Sequence, residues 1–395
     1  MLMKKRTWVM LAIIILSSLF DLLSWQSPAF SDFYTIHIFP LWGATYGRLT
    51  SLFPFSVGEV LIIAGLCWLG VLFVLSILIL VNTLHMHLRR SSGAPAFRHF
   101  YAVRRAGISF YQITAWLLSG IFMVMSLNCF VLYHCTPFSS EDSAGSGHDG
   151  YTQEELASVR DYIVTNADAL ALAMPRDAQG NIVYTGNMEQ SAIASMQKLG
   201  QINPRLSGFY VTPKALTFSG FMSQQYMQGY YFPFSMEANY NNIMNITNKP
   251  FTMCHELAHT HGYIYEDEAN MIGYLACISS DDAFFRYSGY LGLLNYVNND
   301  YYKAVSRSEY NSHVAISDLV KKDNRFLTDA SWNQVEKKAV VKTETVRAAA
   351  STFVDTNLKV NGVSSGKVSY THVVGLLLDY YYEEGNADVL LADAS

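Results

Sequence analysis

Two histidines and a glutamate in the middle of the chain have the spacing of a hydrolytic metal centre. His255-Glu256-Leu257-Ala258-His259 places two imidazoles four residues apart. On a helix, residues at that spacing stack on one face, so both rings can reach one metal ion. Glu256 projects from the next position, where a carboxylate can take a proton from a water at the metal. This is the H-E-x-x-H arrangement of zinc-dependent hydrolases. Two His and a water leave a four-coordinate zinc one protein ligand short, and the following residues offer candidates. Gly262 can end the first helix because it tolerates a positive φ. Glu266-Asp267-Glu268-Ala269-Asn270 then opens a second, apolar helix with the acidic first turn that the helix dipole favours. Glu266 and Asn270 share a face, which makes Glu266 the preferred third ligand and Asn270 a hydrogen-bond partner behind a ligand His. Glu268 is the alternative ligand. It lies about 200° round the helix from Glu266, so only one of the two can face the metal. Asp267 reads as a solvent carboxylate, and His261 points elsewhere.

The surrounding elements are mostly helical. Thr152-Gln153-Glu154-Glu155 is a capping box that opens a helix running to about Ala173. Further helices are expected at 188–199, 281–303, 308–322, 330–355 and 368–382. Short strands are expected at Phe209–Val211 and Ala215–Phe218. The aromatic stretch from Gly229 to Asn241, with an internal Pro233, suits an edge strand beside the active-site helix. On such a strand Glu237, Asn239 and Asn241 share one face, where a peptide could pair. Arg286, Tyr287 and Tyr370 are candidates to stabilise a developing oxyanion.

The composition divides the chain. Of 395 residues 51% are hydrophobic and only 15% charged, well below the charged share of soluble proteins. The apolar residues concentrate before residue 138. The net charge of −5 gives no reason to expect a nucleic-acid partner. Apolar runs at about 8–25, 57–83 and 108–133 read as three membrane spans, the first as an uncleaved anchor. Arg89, Arg90, Arg98, Arg104 and Arg105 lie between the second and third spans, against only Arg48 in 26–56. By the positive-inside rule the N-terminus is cytoplasmic and everything after the third span is outside the cytoplasm. Residues 139–150 read as a polar tether in which His148 is solvated. The expected architecture is α+β: a bundle of three transmembrane helices over 1–138, then a zincin-like soluble domain over 151–395 with a small sheet. The five Cys form no disulfide framework; a Cys254–Cys277 bridge is possible but not favoured.

H-E-x-x-H followed by E-x-x-A-N resembles the gluzincin metallopeptidases, whose third ligand is the Glu of a downstream E-x-x-A-D or E-x-x-x-D element. Here only six residues separate His259 from Glu266, a shorter connection than is usual there. The chain also resembles the bacterial DUF3810 family, which pairs N-terminal membrane helices with H-E-L-A-H, a Gly, and E-D-E-A-N. Those elements stand here at His255–His259, Gly262 and Glu266–Asn270. The P-F-x-x-E-A-N and R-Y-S-G-Y stretches of that family appear as Pro233–Asn239 and Arg286–Tyr290. The resemblance leaves the substrate open. The expected activity is that of a membrane-anchored zinc metallopeptidase at the cell surface, acting on a peptide or protein substrate. The alternatives are a zinc amidase acting on cell-wall material and a non-catalytic zinc-containing sensor or scaffold; the intact Glu256 argues against the last.

Overall fold

The first apolar run forms helix α1 (Lys5–Gln26), in a computed structural model that describes residues 5–91, 98–137, 151–360 and 369–382. The expected tether at 139–150, with His148, lies outside the described residues. After α1 the chain is helical almost at once. Ser27 caps α2 (Pro28–His37), its hydroxyl accepting from Phe30 N at 3.3 Å, with Pro28 in the first turn. Then come α3 (Phe39–Trp42), a π turn (Gly43–Gly47) and α4 (Arg48–Ser51). The second and third apolar runs form α5 (Val57–Ser91) and α6 (Arg98–Met125). The latter continues through a π turn (Ser126–Phe130) and a 3-10 turn (Val131–His134).

Lys5–Gln26, Val57–Leu88 and Ala102–His134 are each long and apolar enough to cross a membrane. Leu66, Leu69, Phe73 and Leu80 on α5 are all exposed. So continuous an apolar surface fits a lipid environment rather than water. Ser126 donates to Asp21 at 2.9 Å, and Trp25 stacks on Phe130, so the end of α1 meets the end of the third span. Trp68 of α5 donates to Thr114 of α6 at 3.1 Å.

The remaining chain begins with α7 (Gln153–Ala173), opened by the expected capping box, and α8 (Met188–Leu199). Next come β1 (Lys214–Ala215), α9 (Ser219–Gln224), β2 (Gly229–Phe232) and β3 (Glu237–Tyr240). They are followed by α10 (Lys249–His259), α11 (Glu266–Ile278) and α12 (Ala283–Ala304). Last are α13 (Arg307–Tyr310), α14 (Asp318–Asp323), α15 (Asp329–Lys338), α16 (Thr343–Val360) and α17 (Ser369–Tyr382). The helix expected at 308–322 is two short ones, α13 and α14, because Ser317 caps a new start and accepts from Val320 N. The helix expected at 330–355 likewise breaks between α15 and α16.

The sheet corrects the strand expectations. Its order is β1-β3-β2, with β1 parallel and β2 antiparallel to β3. Phe209–Val211 is in no strand, and the expected strand from Ala215 ends there as the chain turns toward α9. The stretch 229–241 is a hairpin rather than one edge strand: Pro233 falls in its turn and Met236 takes a φ of 53°. Of the two hairpin strands, β2 lies at an edge of the sheet. β3 is central and all four of its residues are buried.

The main core gathers Ile163, Met196, Leu257, Ile272, Leu294 and Leu377 from α7, α8, α10, α11, α12 and α17. A second core joins the two parts of the chain. Tyr34, Phe39, Val131 and Leu132 from the membrane part pack with Met236 and Ile264.

Candidate metal centre

Helix α10 starts with Pro250 in its first turn, where a missing N–H costs nothing. Its ten residues from Pro250 to His259 are all buried, so the helix runs through the domain rather than over it. Gly262, at φ 87°, reverses the chain, and α11 returns along α10. That return brings Glu266 to the histidine pair. His255 Nε2 and His259 Nε2 lie 3.1 Å apart. Glu266 Oε2 is 3.2 Å from His255 Nε2, and Glu266 Oε1 is 4.0 Å from His259 Nε2. Among the described residues, this trio is the one His/Cys/Asp/Glu cluster that could hold a metal ion. Ligand atoms on a tetrahedral shell of about 2.0–2.1 Å radius stand roughly 3.3 Å apart; the separations from His255 match this, and the one between Glu266 and His259 is longer.

The supporting contacts suit ligand duty. His259 Nδ1 lies 2.7 Å from the Tyr263 carbonyl. With the proton on Nδ1, Nε2 is left with its lone pair facing the cluster. Burial lowers the His259 pKa to about 4, and the neighbouring His255 adds to this, so the ring is neutral near pH 7. Burial would also lower His255, but the Glu266 contact and charge outweigh it and its pKa is raised. Burial pushes Glu266 up, yet its bonds to His255 and the charge of both rings bring it down, so it is ionised. Its side chain is 28% exposed, which opens the cluster to solvent on that side.

Glu256 sits beside the trio with Oε2 buried and without a hydrogen-bond partner. Burial raises its pKa to about 8, with His255 opposing the shift and Glu266 adding to it; a cation held by the trio would oppose that rise and favour the carboxylate form that a base requires. Strand β2 lies against this carboxylate. A Cβ added at Gly229 would fall 2.6 Å from Glu256 Oε1 and 2.6 Å from the Asn239 carbonyl. Glycine is therefore the one residue that lets strand and carboxylate meet.

The other expected site residues divide. Asn270 lies beside the His255 ring without closing a hydrogen bond, since His255 Nδ1 and Asn270 Nδ2 are both buried and unpartnered. Glu268 is buried on another side of α11, where its charge acts on Tyr263, Tyr265 and Cys135 rather than on the His pair. Asp267 is not a solvent carboxylate; its side chain is 15% exposed and lies 3.8 Å from His372. His261 points away, stacked on Tyr210 at 3.9 Å.

Glu237 and Asn239, expected to meet a peptide, are core residues of β3. Glu237 forms a 2.5 Å ion pair with Lys214 and accepts from Val57 N and Gly58 N. Asn239 directs its amide at Tyr230 and Glu237 carbonyls, and Asn241 bonds Ser223 and Met227. A period of two gave their common face but not what packs on it. Arg286 is held by the Ser280 carbonyl at 2.8 Å, and Tyr287 by Asp323 at 2.8 Å, beside Arg176. Tyr370 stands in the first turn of α17, and its side chain lies outside the described residues. The thiols of Cys254 and Cys277 are free, with their sulfurs 3.8 Å apart.

One residue near the cluster has no sequence signal. Tyr296 of α12 lies beside Asn270 and within electrostatic reach of Glu266. Burial, with Glu266 adding, raises its pKa, so the phenol keeps its proton. It follows Asn270 by 26 residues in an ordinary helical pattern, and only the packing of α12 on α11 brings it here.

Neither the curated proteins nor the solved structures give a match to this chain. A family model described as "Protein of unknown function (DUF3810)" matches residues 34–378, from the second core through the helix pair to α17. The matched region holds the last two membrane-capable helices, the sheet and the whole candidate metal centre, and on that extent the chain belongs to the DUF3810 family.

Proposed function

We propose that this protein is a membrane-anchored zinc metallopeptidase with a zincin-like domain outside the cytoplasm. The observation that carries the reading is the His255–His259–Glu266 trio with the unpartnered Glu256 carboxylate beside it. Two imidazoles and one carboxylate are a donor set that suits zinc and leaves a position for water. A zinc ion held by the three would supply Lewis acidity toward a water and toward the scissile carbonyl.

The chain's own groups do the rest. Glu256 accepts a proton from the attacking water as its oxygen bonds to the carbonyl carbon. Glu256 then passes that proton to the amide nitrogen as the C–N bond breaks, giving a carboxylic acid and an amine. Tyr296, protonated and within electrostatic reach of Glu266, is the candidate donor to the carbonyl oxygen as charge builds on it. Asn270, beside the His255 ring, is near enough to steady it once the side chains close on a metal. The outer location rests on the arginines between the second and third spans, with the positive loop inside.

The test uses the full-length chain in detergent or nanodiscs, because the second core joins the membrane part to the rest. Metal content is measured in wild type, His255→Ala and Glu266→Ala, and peptide-library cleavage in wild type and Glu256→Gln. Expected are about one zinc per wild-type chain, its loss in both ligand variants, and a fall in cleavage of at least about a hundredfold in Glu256→Gln with zinc retained. Full activity in Glu256→Gln, or no zinc in wild type, would overturn the proposal.

A further inference from the structure

The site is tied to the ends of two membrane helices, and this restricts what can reach it. The first tie runs along β2. Gly229, at one end, touches the Glu256 carboxylate; Phe232, at the other, packs on Gly58, where an added Cβ would meet its ring at 2.8 Å. Gly58 is the second residue of α5, and the apolar span begins at Val57. Three strand steps separate Gly229 from Phe232, about 10 Å at roughly 3.3 Å each. The second tie runs through Tyr265, next to the ligand Glu266. Its hydroxyl donates to the Tyr133 carbonyl at 2.6 Å, in the last turn of the third span.

The surface between these ties is that of a membrane-contacting face. Glu59, in the first turn of α5, accepts from Thr217 N and Phe218 N at 3.0 and 2.8 Å. Phe218 and Phe221 beside it are 53% and 57% exposed. Leu52 and Phe53, just before the span, are also exposed. Phe and Leu side chains exposed beside a span end suit burial at the boundary of headgroups and acyl chains. The headgroup zone is about 5–8 Å thick on each side of the hydrocarbon core. The strand length bounds the height of the general base: at most about 10 Å above the start of the span, within the headgroup zone or just above it.

Resting on the peptidase reading above, we propose that the substrate is a membrane-anchored polypeptide, cut in the residues that flank its own anchor. An anchored chain brings its flanking residues to this height at high effective concentration. A free polypeptide must bring an extended segment down to the lipid surface. The buried charges of Glu237 and Lys214 at the membrane end of the sheet mark the site as lying above the hydrocarbon, so the cut bond is outside the span.

The test uses full-length, zinc-loaded protein in liposomes with fluorogenic peptides on a single transmembrane helix. Spacers of about 6, about 15 and about 40 Gly/Ser-rich residues separate peptide and membrane, and the same peptides are also offered unanchored. The expected result is cleavage at least about tenfold faster with the shortest spacer than with the longest or with the free peptide. Equal rates, or rates that rise with spacer length, overturn the inference and leave the peptidase reading standing. No cleavage of any peptide by zinc-loaded protein removes the peptidase reading and this inference with it. Depth is read independently from a fluorophore on Phe234→Cys in a Cys67→Ala background. Quenching by headgroup-labelled lipid is expected, and its absence overturns the placement.

Discussion

Glu256 and Gly229 depend on each other at the residue scale. A side chain at 229 would enter the space of the carboxylate and of a backbone carbonyl on β3, and the carbonyl cannot swing aside. Gly229→Ala is expected to destabilise the fold by about 1–3 kcal/mol and to reduce cleavage while zinc content stays near wild type. Thermal denaturation beside a rate measurement checks it; unchanged activity would mean that strand and carboxylate are not packed this way. Tyr296→Phe removes one hydroxyl and little volume. If that hydroxyl holds the developing oxyanion, kcat falls about a hundredfold with metal and KM little changed; a wild-type kcat would remove Tyr296 from the mechanism. The contrast between these residues shows what a sequence can reveal. The helix turn that aligns His255 with His259 is local, so spacing alone declares it. Tyr296 arrives through helix packing and Gly229 through a strand crossing a helix, and neither leaves a periodic trace.

At the element scale, the two ligand helices are joined by Thr260–Tyr265, a connection short enough that its own packing fixes the angle between them. His261 lies within it, buried and stacked on Tyr210. Burial lowers its pKa from 6.5 to about 4, the Leu257 carbonyl opposing and the Arg205 charge assisting. The folded state thus binds this proton less readily than the unfolded chain. Stability is full above pH 6.5 and is lost as pH falls toward 4, a difference on the order of 3 kcal/mol at the acid end. His261→Phe should flatten that part of the stability–pH curve measured by denaturant titration; an unchanged slope would place the loss elsewhere. The helices α7, α8 and α12 were legible because caps at Thr152, Asn187 and Asp282 agree with apolar periodicity, and α17 by its periodicity. The break within 308–322 was not, because Ser317 looks like an ordinary surface residue until its hydroxyl is seen to cap a new start; nor was the one between Lys338 and Thr343, which no capping pattern in the sequence marks. Pro233 was legible as an interruption, but not as the turn that makes β3 central.

For the whole molecule, the membrane part is structural support as well as anchor. Glu237 is buried with Lys214, and its oxygens also receive the first two amides of α5, the end where the helix dipole favours an anion. Lys214 in turn donates to the Thr50 and Phe55 carbonyls. Truncating one member strands the other's charge, so Lys214→Ala is expected to cost about 3–5 kcal/mol in the full-length protein. Thermal unfolding in nanodiscs reads this, and a wild-type midpoint would show that the clasp carries little. The sequence announced three spans and a separate domain; it did not announce their shared core, because the residues that join them lie up to about two hundred positions apart in the chain.

The clasp also orders the birth of the protein. The spans emerge from the ribosome first, and the residues that face Glu237 are in place at the bilayer before β3 exists. The sheet is then assembled against a finished template, and helices α10 and α11 follow it. A chain expressed from residue 151 alone would keep the Glu237–Lys214 pair but lose the two α5 amides and the Thr50 and Phe55 carbonyls around it, and is expected to form a less stable sheet.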